Sequence, residues 1–297
     1  MDLLNRYHIG KNILAFSTTR HGGCSKGNYA GFNINRFCGD DVEDIRKNRE
    51  TLCSLLGIDD RHLLMPHQVH LTKTVRIDEA LLTLSEEEKT EALEGYDALM
   101  TNLSGVCIGV STADCIPVLL CDESHHAVCA IHAGWRGTVG RIVEKALAEM
   151  GKAYGTRSEQ VKAQIGPGIH LESFEVGDEV YETFLKEGFD MKAISKKFPA
   201  KDSSLLHLPS SLKKDSSLSP LTSSILHLPS SLKKWHIDLP ECNRLQLRDA
   251  GVPESQISVS PVCTFQQSAD YFSARRLGIN SGRIFTGIMI QEQQNLH

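Results

Sequence analysis

Apolar positions along the chain follow two spacings, one typical of helices and one typical of strands. Helical spacing runs through residues 44–56, which end at Gly57, and returns at residues 139–150, 176–184 and 240–250. Short β-branched or aromatic runs predict strands at residues 13–19, 72–77, 106–110, 116–121, 126–131, 161–165, 236–238, 257–262 and 284–290. The chain therefore mixes strands and helices along most of its length.

Two of these strands predict a hairpin, with residues 122–125 as its four-residue loop. In that register Cys121 pairs with His126, and Cys115 lies directly opposite His132 with Cβ atoms roughly 5 Å apart. A thiolate and an imidazole so placed can share a metal ion, or they can act as a nucleophile and its base.

Composition narrows the class of protein. The chain has 297 residues, 40% of them apolar, which is enough for the core of one large domain or two modest ones. A net charge of −5 argues against nucleic-acid binding, and no run approaches the ~20 apolar residues that span a membrane. Nine cysteines without an export signal indicate reduced thiols in a cytoplasmic protein.

A metal at this pair needs a third protein ligand, and two histidines precede the strand at 72–77. His67 and His70 are close in sequence, and in an extended segment they point to opposite faces, so only one is expected to reach a given site. One Cys and two His with an open position suit catalytic zinc, which activates water or polarises a substrate. The same donors suit copper.

The residues alone leave three classes open. The first is an enzyme with a catalytic metal held by Cys115 and His132. The second is a cysteine hydrolase in which Cys115 is the nucleophile. In either enzyme Asp114, beside that cysteine, can carry a proton. The third is a binding protein with a structural metal site.

Several arginines stand where an anion can bind. Thr138 is a good N-cap for the helix that follows, and the free N–H groups of a first helical turn attract anions. Arg136 adds a guanidinium suited to phosphate. The glycine-rich loop at Arg20 can wrap an anion or simply connect two elements. Arg276 belongs to the arginines at 275–283, which surface ion pairs would equally explain.

A repeat interrupts the chain near its C-terminal third. The sequence LHLPSSLKK occurs at residues 206–214 and again at 226–234. Two copies are too few for a solenoid. We therefore predict a duplicated low-complexity insertion at residues 200–234, on the surface and without a catalytic role.

Several motifs, spread over residues 13–290, resemble those of the YfiH/YlmD family. They are TRHGG at 19–23, HQVH at 67–70, TADCIPV at 112–118, HAGWRG at 132–137, CT at 263–264 and FSARR at 272–276. The two longest motifs are highly specific. Two features depart from the family, the insertion and Ala274, where many relatives carry an aromatic residue.

The resemblance implies an α+β fold, a single-domain mixed α/β sandwich over residues 1–297 with a central, largely antiparallel sheet. It implies a zinc ion on two histidines and one cysteine, which fall on His70, Cys115 and His132. It also implies a purine nucleoside phosphorylase, acting on adenosine, inosine, guanosine and methylthioadenosine, with adenosine deaminase activity. Nucleoside and phosphate are then the small-molecule partners, and the oligomeric state is not predicted.

Other functions attached to the family remain as alternatives. An older label is polyphenol oxidase or laccase, yet multicopper centres use many His-x-His pairs and this chain has 13 histidines with no such pair. Four-copper oxidation is therefore not expected, whereas a single copper ion can bind such a site more tightly than zinc. Some bacterial members are assigned to peptidoglycan editing, as an amidase or cysteine hydrolase that cleaves a muramoyl–amino-acid bond.

Overall fold

The computed structural model describes residues 2–199 and 233–292. The chain forms two compact units, the larger from the described residues of Met1–His170 and Leu239–His297, the smaller from those of Leu171–Asp238. The predicted insertion at 200–234 lies outside the described residues except for Lys233 and Lys234, which begin a strand. Among the described residues, no helix has the length and apolarity to span a membrane.

The described strands form three sheets. In chain order they are β1 (Leu4–Tyr7), β2 (Ile13–Thr18), β3 (Leu63–Leu64), β4 (Thr74–Ile77), β5 (Ala98–Thr101), β6 (Cys107–Thr112), β7 (Ile116–Asp122), β8 (Ala127–Ala133), β9 (Lys162–Ile165), β10 (Glu175–Val176), β11 (Ser195–Pro199), β12 (Lys233–Ile237), β13 (Ile257–Val259) and β14 (Ile284–Ile290). The larger unit contains a five-stranded sheet, β1-β2-β14-β6-β3, and a six-stranded sheet, β13-β9-β7-β8-β5-β4. The smaller unit contains β10-β12-β11. Most pairs are antiparallel, and the parallel ones are β3–β6, β4–β5 and β9–β13.

The described helices are short apart from three that exceed ten residues. They are α1 (Val42–Leu56), α2 (Glu79–Leu82), α3 (Glu86–Ala92), α4 (Trp135–Val139), α5 (Ile142–Tyr154), α6 (Asp178–Lys186), α7 (Met191–Ile194), α8 (Leu239–Asp249) and α9 (Ala274–Leu277). The predicted helix at 44–56 is confirmed as α1. The Asp41 carboxylate accepts the N–H groups of Glu43 and Asp44 at its start, and Gly57 ends it with φ 69°.

The two large sheets pack face to face in the larger unit. Ile108 of β6 and Ile288 of β14 share one buried cluster with Leu119 of β7 and Val128 of β8. Helix α1 covers the other face of the five-stranded sheet. The sandwich and the antiparallel bias expected from the resemblance are confirmed. The strands of the larger unit are divided between these two sheets.

The predicted hairpin is present as β7 and β8, but its register was wrong. Pro117 pairs with His132, where Cys115 was expected, and the loop is residues 123–126. The turn begins later than predicted because the buried Asp122 carboxylate accepts N–H groups of the loop itself. The shift is by two residues, and side chains alternate across a strand, so the predicted faces are unchanged.

Candidate metal centre

Three side chains with donor atoms suited to a metal converge at the end of the hairpin opposite its loop. His132 belongs to β8, Cys115 precedes β7, and His70 lies in the loop before β4. The Cys115 Sγ and one ring nitrogen of each histidine lie within 4.8 Å of one another. The two imidazole rings meet edge to face with centroids 4.7 Å apart. The structure thus brings together the three residues that the resemblance named as ligands.

The donor set suits a single ion with an open position. Zinc binds Cys and His at about 2.0–2.3 Å, so the three donors need only a small contraction to hold one ion. His132 is buried, Cys115 is half-buried and His70 is exposed. Access is therefore from the side of His70, and the protein blocks the opposite side.

A buried carboxylate positions two of the three ligands. Asp97 accepts a hydrogen bond from His132 Nδ1 at 2.7 Å, and its carboxylate also accepts the backbone N–H groups of His70 at 2.9 Å and Leu71 at 2.7 Å. An ionised carboxylate only accepts, so Nδ1 of His132 donates to Asp97 and Nε2 is the ring nitrogen left to bind a metal once it gives up its proton. Burial opposes ionisation of Asp97, but these hydrogen bonds hold its pKa below the usual value.

The loop that carries His70 is fixed in a conformation that sequence reasoning missed. His70 has φ 62°, in the left-handed region. The side-chain amide of Gln68 donates to Ser111 O at 2.8 Å and accepts from Ser111 N at 2.7 Å, as a strand partner would. The segment is therefore not extended, and both His67 and His70 line the same cavity. The expected extended conformation was wrong, but only His70 joins the group of metal-binding geometry, as expected for one of the two histidines.

Gly134 leaves room for the donors. Its φ of −66° and ψ of 167° suit any residue, so backbone freedom does not require glycine here. A Cβ at this position would lie 3.0 Å from His70 Cδ2 and 3.1 Å from Cys115 Sγ. Close approach of the ligands therefore depends on the missing side chain.

The thiol and the imidazole perturb each other strongly. Burial opposes ionisation of Cys115, but the charge and hydrogen bonds of His132, with those of His70, lower its pKa to about 6. Burial likewise disfavours the imidazolium of His132, but the facing thiolate and Asp97 raise its pKa to about 9. The cysteine is thus held as a thiolate, the form that binds a metal.

The donors lie in a cavity of about 370 Å³, within the range of roughly 300–1,000 Å³ typical of small-molecule sites. His67 lies at this cavity with its Nδ1 2.8 Å from the Glu94 carboxylate and its ring stacked on Phe37 at 4.4 Å. The lining residues include Asn35, Phe37, His67, Gln68, Ser111, Thr112, Ala274, Ile279 and Arg283, together with the three candidate ligands. The site is therefore both polar and aromatic.

Asp114, the candidate proton carrier, has structural hydrogen bonds. It turns the chain between β6 and β7 with φ 88°. One carboxylate oxygen accepts from Thr264 Oγ1 and the other from Arg275 N, both at 2.7 Å. Asp114 is not among the residues that line the described cavity. It joins Thr264 and the first turn of α9 to the turn that carries Cys115.

Thr138 was wrongly predicted as an N-cap. Gly134 caps α4, its carbonyl accepts the Thr138 N–H at 2.8 Å, and the Thr138 hydroxyl accepts from Asn243 at 3.2 Å. The helix starts earlier than expected because the chain turns directly after β8. Arg136 is exposed and its guanidinium lies 4.4 Å from the Trp135 ring. Neither candidate anion-binding residue lines the cavity.

The other two candidate arginines also lie away from the cavity lining. Arg20 donates to the carbonyls of Ala30 and Ser268 and lies over the Phe272 ring, which gives it a structural role. Arg276 donates to Phe265 O at 3.2 Å. Arg283, which the sequence did not distinguish from its neighbours, lines the cavity. Asp97 was missed altogether, since its partners are 27 and 35 residues away in the chain.

A two-sheet sandwich with a His/Cys/His group of metal-binding geometry in an accessible cavity is typical of an enzyme that acts on small molecules. The chain belongs to the multi-copper polyphenol oxidoreductase laccase family, whose model matches residues 14–291.

Individual relatives agree with this assignment. The chain is 44% identical over 281 residues to a purine nucleoside phosphorylase of Bacteroides thetaiotaomicron, covering 95% of this chain and 93% of that protein. It is 40% identical over 278 residues to adenosine deaminase RL5 of an unknown prokaryotic organism, covering 94% of each. The crystal structure of YlmD from Geobacillus stearothermophilus matches with a TM-score of 0.76 at 29% identity, covering 95% and 93%. The resemblance to YfiH/YlmD proteins is confirmed, and the chain is an enzyme.

Proposed function

We propose that this enzyme is a zinc-dependent purine nucleoside phosphorylase that also deaminates adenosine. The observation that supports this most is the convergence of His70, Cys115 and His132 in an accessible cavity of small-molecule size. The names of two similar proteins, a purine nucleoside phosphorylase and an adenosine deaminase, point to the same substrate class.

Zinc fits the site by its donors. Two imidazoles and one thiolate are typical ligands of this ion, and three protein ligands leave a fourth position for chemistry. Bound zinc would supply a Lewis acid that polarises substrate oxygens and lowers the pKa of water. Asp97 keeps the His132 ring in the tautomer that binds a metal, and Gly134 keeps the donors close.

The cavity wall suits a purine nucleoside. The Phe37 and His67 rings offer an aromatic surface at its rim, and such faces bind flat heteroaromatic bases. Gln68 and Ser111 bond each other and hold the polar side of the cavity rigid. Binding energy can then orient the ribose toward the metal centre without reorganisation of the protein.

Phosphorolysis requires little from the chain beyond positioning. An oxygen of hydrogen phosphate bonds to C1′ of the ribose while the bond from C1′ to purine N9 breaks. The electron pair of that bond leaves with the purine, and the proton of the phosphate passes to the base. The products are the free base and ribose-1-phosphate. In deamination water replaces the amino group at C6 of adenosine, and ammonia leaves.

The test uses purified enzyme loaded with zinc and assayed with inosine and with adenosine, with and without phosphate. We expect ribose-1-phosphate only when phosphate is present, inosine from adenosine in either case, and loss of both activities on chelation. Activity that survives chelation but is lost on thiol alkylation would instead support a cysteine hydrolase. Turnover of a muramoyl–alanine substrate in place of nucleosides would support peptidoglycan editing.

The family description makes copper-dependent oxidation a second candidate. The described residues contain one His/Cys/His group of metal-binding geometry, whereas multicopper oxidation needs several coupled ions. A single copper ion in the same site is compatible with its donors. Oxygen uptake with a phenolic substrate after copper loading, compared with the nucleoside assay on the same sample, separates the two functions.

A further inference from the structure

Phosphorolysis needs a site for the phosphate dianion, and the arginines that the sequence suggested do not line the cavity. Arg283 is the only lysine or arginine among the residues that line it in the described chain. We propose that Arg283 and Thr112 form an anion subsite that holds inorganic phosphate beside the metal centre. This inference rests on the proposed function and names the binding site of its second substrate.

The sheet brings this arginine to the metal centre. Arg283 directly precedes β14, and Ile284, the first residue of β14, pairs with Thr112 at the end of β6. Cys115 follows Thr112 after the turn at Asp114. The C-terminal end of β6 and the N-terminal end of β14 lie side by side, so the guanidinium and the thiolate are at the same end of these strands.

Neutral groups hold the guanidinium in place. Its two terminal nitrogens donate to the carbonyls of Ile279 at 2.7 Å and Gly282 at 3.1 Å, and to both oxygens of Ser281. Within the described chain no carboxylate lies within ion-pair distance of Arg283. Carbonyls fix the planar group but leave its charge without a counter-ion, as a phosphate-binding arginine requires.

Thr112 supplies a second, independent sign of a ligand. The residue is 1% exposed, it lines the cavity, and its hydroxyl has no hydrogen-bond partner in the described chain. Buried hydroxyls are normally satisfied, because an unpaired one costs about 1–3 kcal/mol. A bound phosphate oxygen would satisfy it.

The charges around the subsite favour an anion. A divalent ion on one thiolate and two neutral imidazoles carries a net positive charge, which the Asp97 carboxylate behind His132 offsets from the side away from the cavity. Arg283 adds a positive charge that no carboxylate offsets. Aromatic and neutral polar groups make up most of the remaining lining. A phosphate placed here would lie between the two positive groups, within reach of a ribose positioned by the cavity wall.

A binding experiment tests the subsite without turnover. Inorganic phosphate is titrated into the zinc-loaded enzyme in a calorimeter, with wild type, Arg283→Gln, Arg283→Lys and Thr112→Val compared. Arg248→Gln, which alters an exposed pair with Asp249, is the matched control. We expect Arg283→Gln to weaken phosphate binding by at least about tenfold, with Arg283→Lys and Thr112→Val in between. Wild-type affinity in Arg283→Gln would overturn the proposal.

A kinetic comparison separates this role from a structural one. Deamination uses water and no phosphate, so Arg283→Gln should raise the phosphate KM of inosine phosphorolysis at least about tenfold and leave adenosine deamination nearly unchanged. An equal loss of both activities would mean that Arg283 only stabilises its loop, and would refute the proposal. Thermal melting of each variant accompanies the assays.

The two proposals fail in different ways. If wild type binds phosphate through Arg283 but forms no ribose-1-phosphate, the proposed function is wrong and the subsite stands. If both wild type and Arg283→Gln form ribose-1-phosphate with the same phosphate KM, the function stands and the subsite is wrong.

Discussion

The two ends of the β7–β8 hairpin carry similar groups with different consequences. Each has a histidine bonded through Nδ1 to a fully buried aspartate, His132 with Asp97 at 2.7 Å and His125 with Asp122 at 2.8 Å. Each also borders a cavity, and the cavity at the loop end is the larger, about 610 Å³ against about 370 Å³.

The difference lies in what the aspartate bonds. At the loop end Asp122 accepts N–H groups of its own turn, and the side chain of His125 remains 35% exposed. At the other end Asp97 joins β8 to a loop distant in sequence, and the side chain of His132 is only 2% exposed. Local bonds of this kind stabilise a turn. The long-range bonds bring donors from separate elements to one point, and this convergence, more than cavity size, is the reason we propose the functional site at this end.

The largest difference between the two ends of the hairpin is expected when the Cys115 thiolate is removed. Cys115→Ala should lose zinc and, with it, several kcal/mol of catalysis, about a thousandfold or more. Metal content by elemental analysis and the nucleoside assays measure this. His126→Asn, at the larger cavity, suits the left-handed φ of 48° there and should retain full activity. A large loss of nucleoside activity in His126→Asn would mean that the reaction takes place at the loop end of the hairpin and would contradict the proposed site.

A smaller contrast is expected between the two aspartates. Asp97→Asn should weaken zinc binding by about 10–100-fold, because the neutral amide no longer orients His132 or holds the His70 loop. Competition with a chelator of known affinity measures this. Asp122→Asn is the matched change at the loop end and should leave zinc affinity unchanged. Equal effects of the two substitutions would mean that burial alone accounts for the role of Asp97.

The substitution Gly134→Ala tests how tightly the donors are packed. The added Cβ would crowd His70 and Cys115 at 3.0 and 3.1 Å, and mild overpacking costs about 1 kcal/mol. We expect zinc affinity to fall about fivefold while the melting temperature of the metal-free protein barely changes. An unchanged zinc affinity would show that His70 and Cys115 can move away from the added Cβ without loss of metal binding.

The smallest effect is expected from weakening the β7–β8 turn, and it concerns stability alone. Asp122→Ala removes the acceptor of the Ser124 and His125 N–H groups and should lower the free energy of unfolding by about 1–3 kcal/mol. Chemical denaturation measures this, and kcat and zinc content should remain at wild-type values. Loss of zinc at constant stability would contradict the local role assigned to Asp122.

The sequence predicted the ligands better than it predicted their geometry. Cys115 and His132 were named from the predicted hairpin, and the resemblance to a family added His70. The hairpin argument paired Cys115 with His132 in a register two residues from the real one. The error left the faces unchanged because the side-chain period of a strand is two. An odd shift would have separated the pair.

The remaining site residues depend on contacts that no local pattern reveals. Asp97 acts on groups 27 and 35 residues away, and an aspartate before a strand looks ordinary in sequence. The arginines were equally uninformative, because Arg20, Arg136 and Arg283 differ only in what surrounds them after folding. His70 was expected in an extended segment, whereas its φ of 62° follows from the bonds that Asp97 makes with that loop.

One carboxylate holds both the ring of His132 and the backbone of His70, and this has a consequence for how ions are exchanged. Because these hydrogen bonds come from the protein itself, we expect metal loading to need no folding step and metal removal to leave the fold intact. The same purified batch should accept either zinc or copper according to supply. The copper description of the family and the nucleoside names of its relatives are then compatible with one and the same site. Which ion binds would depend on which metal the cell supplies.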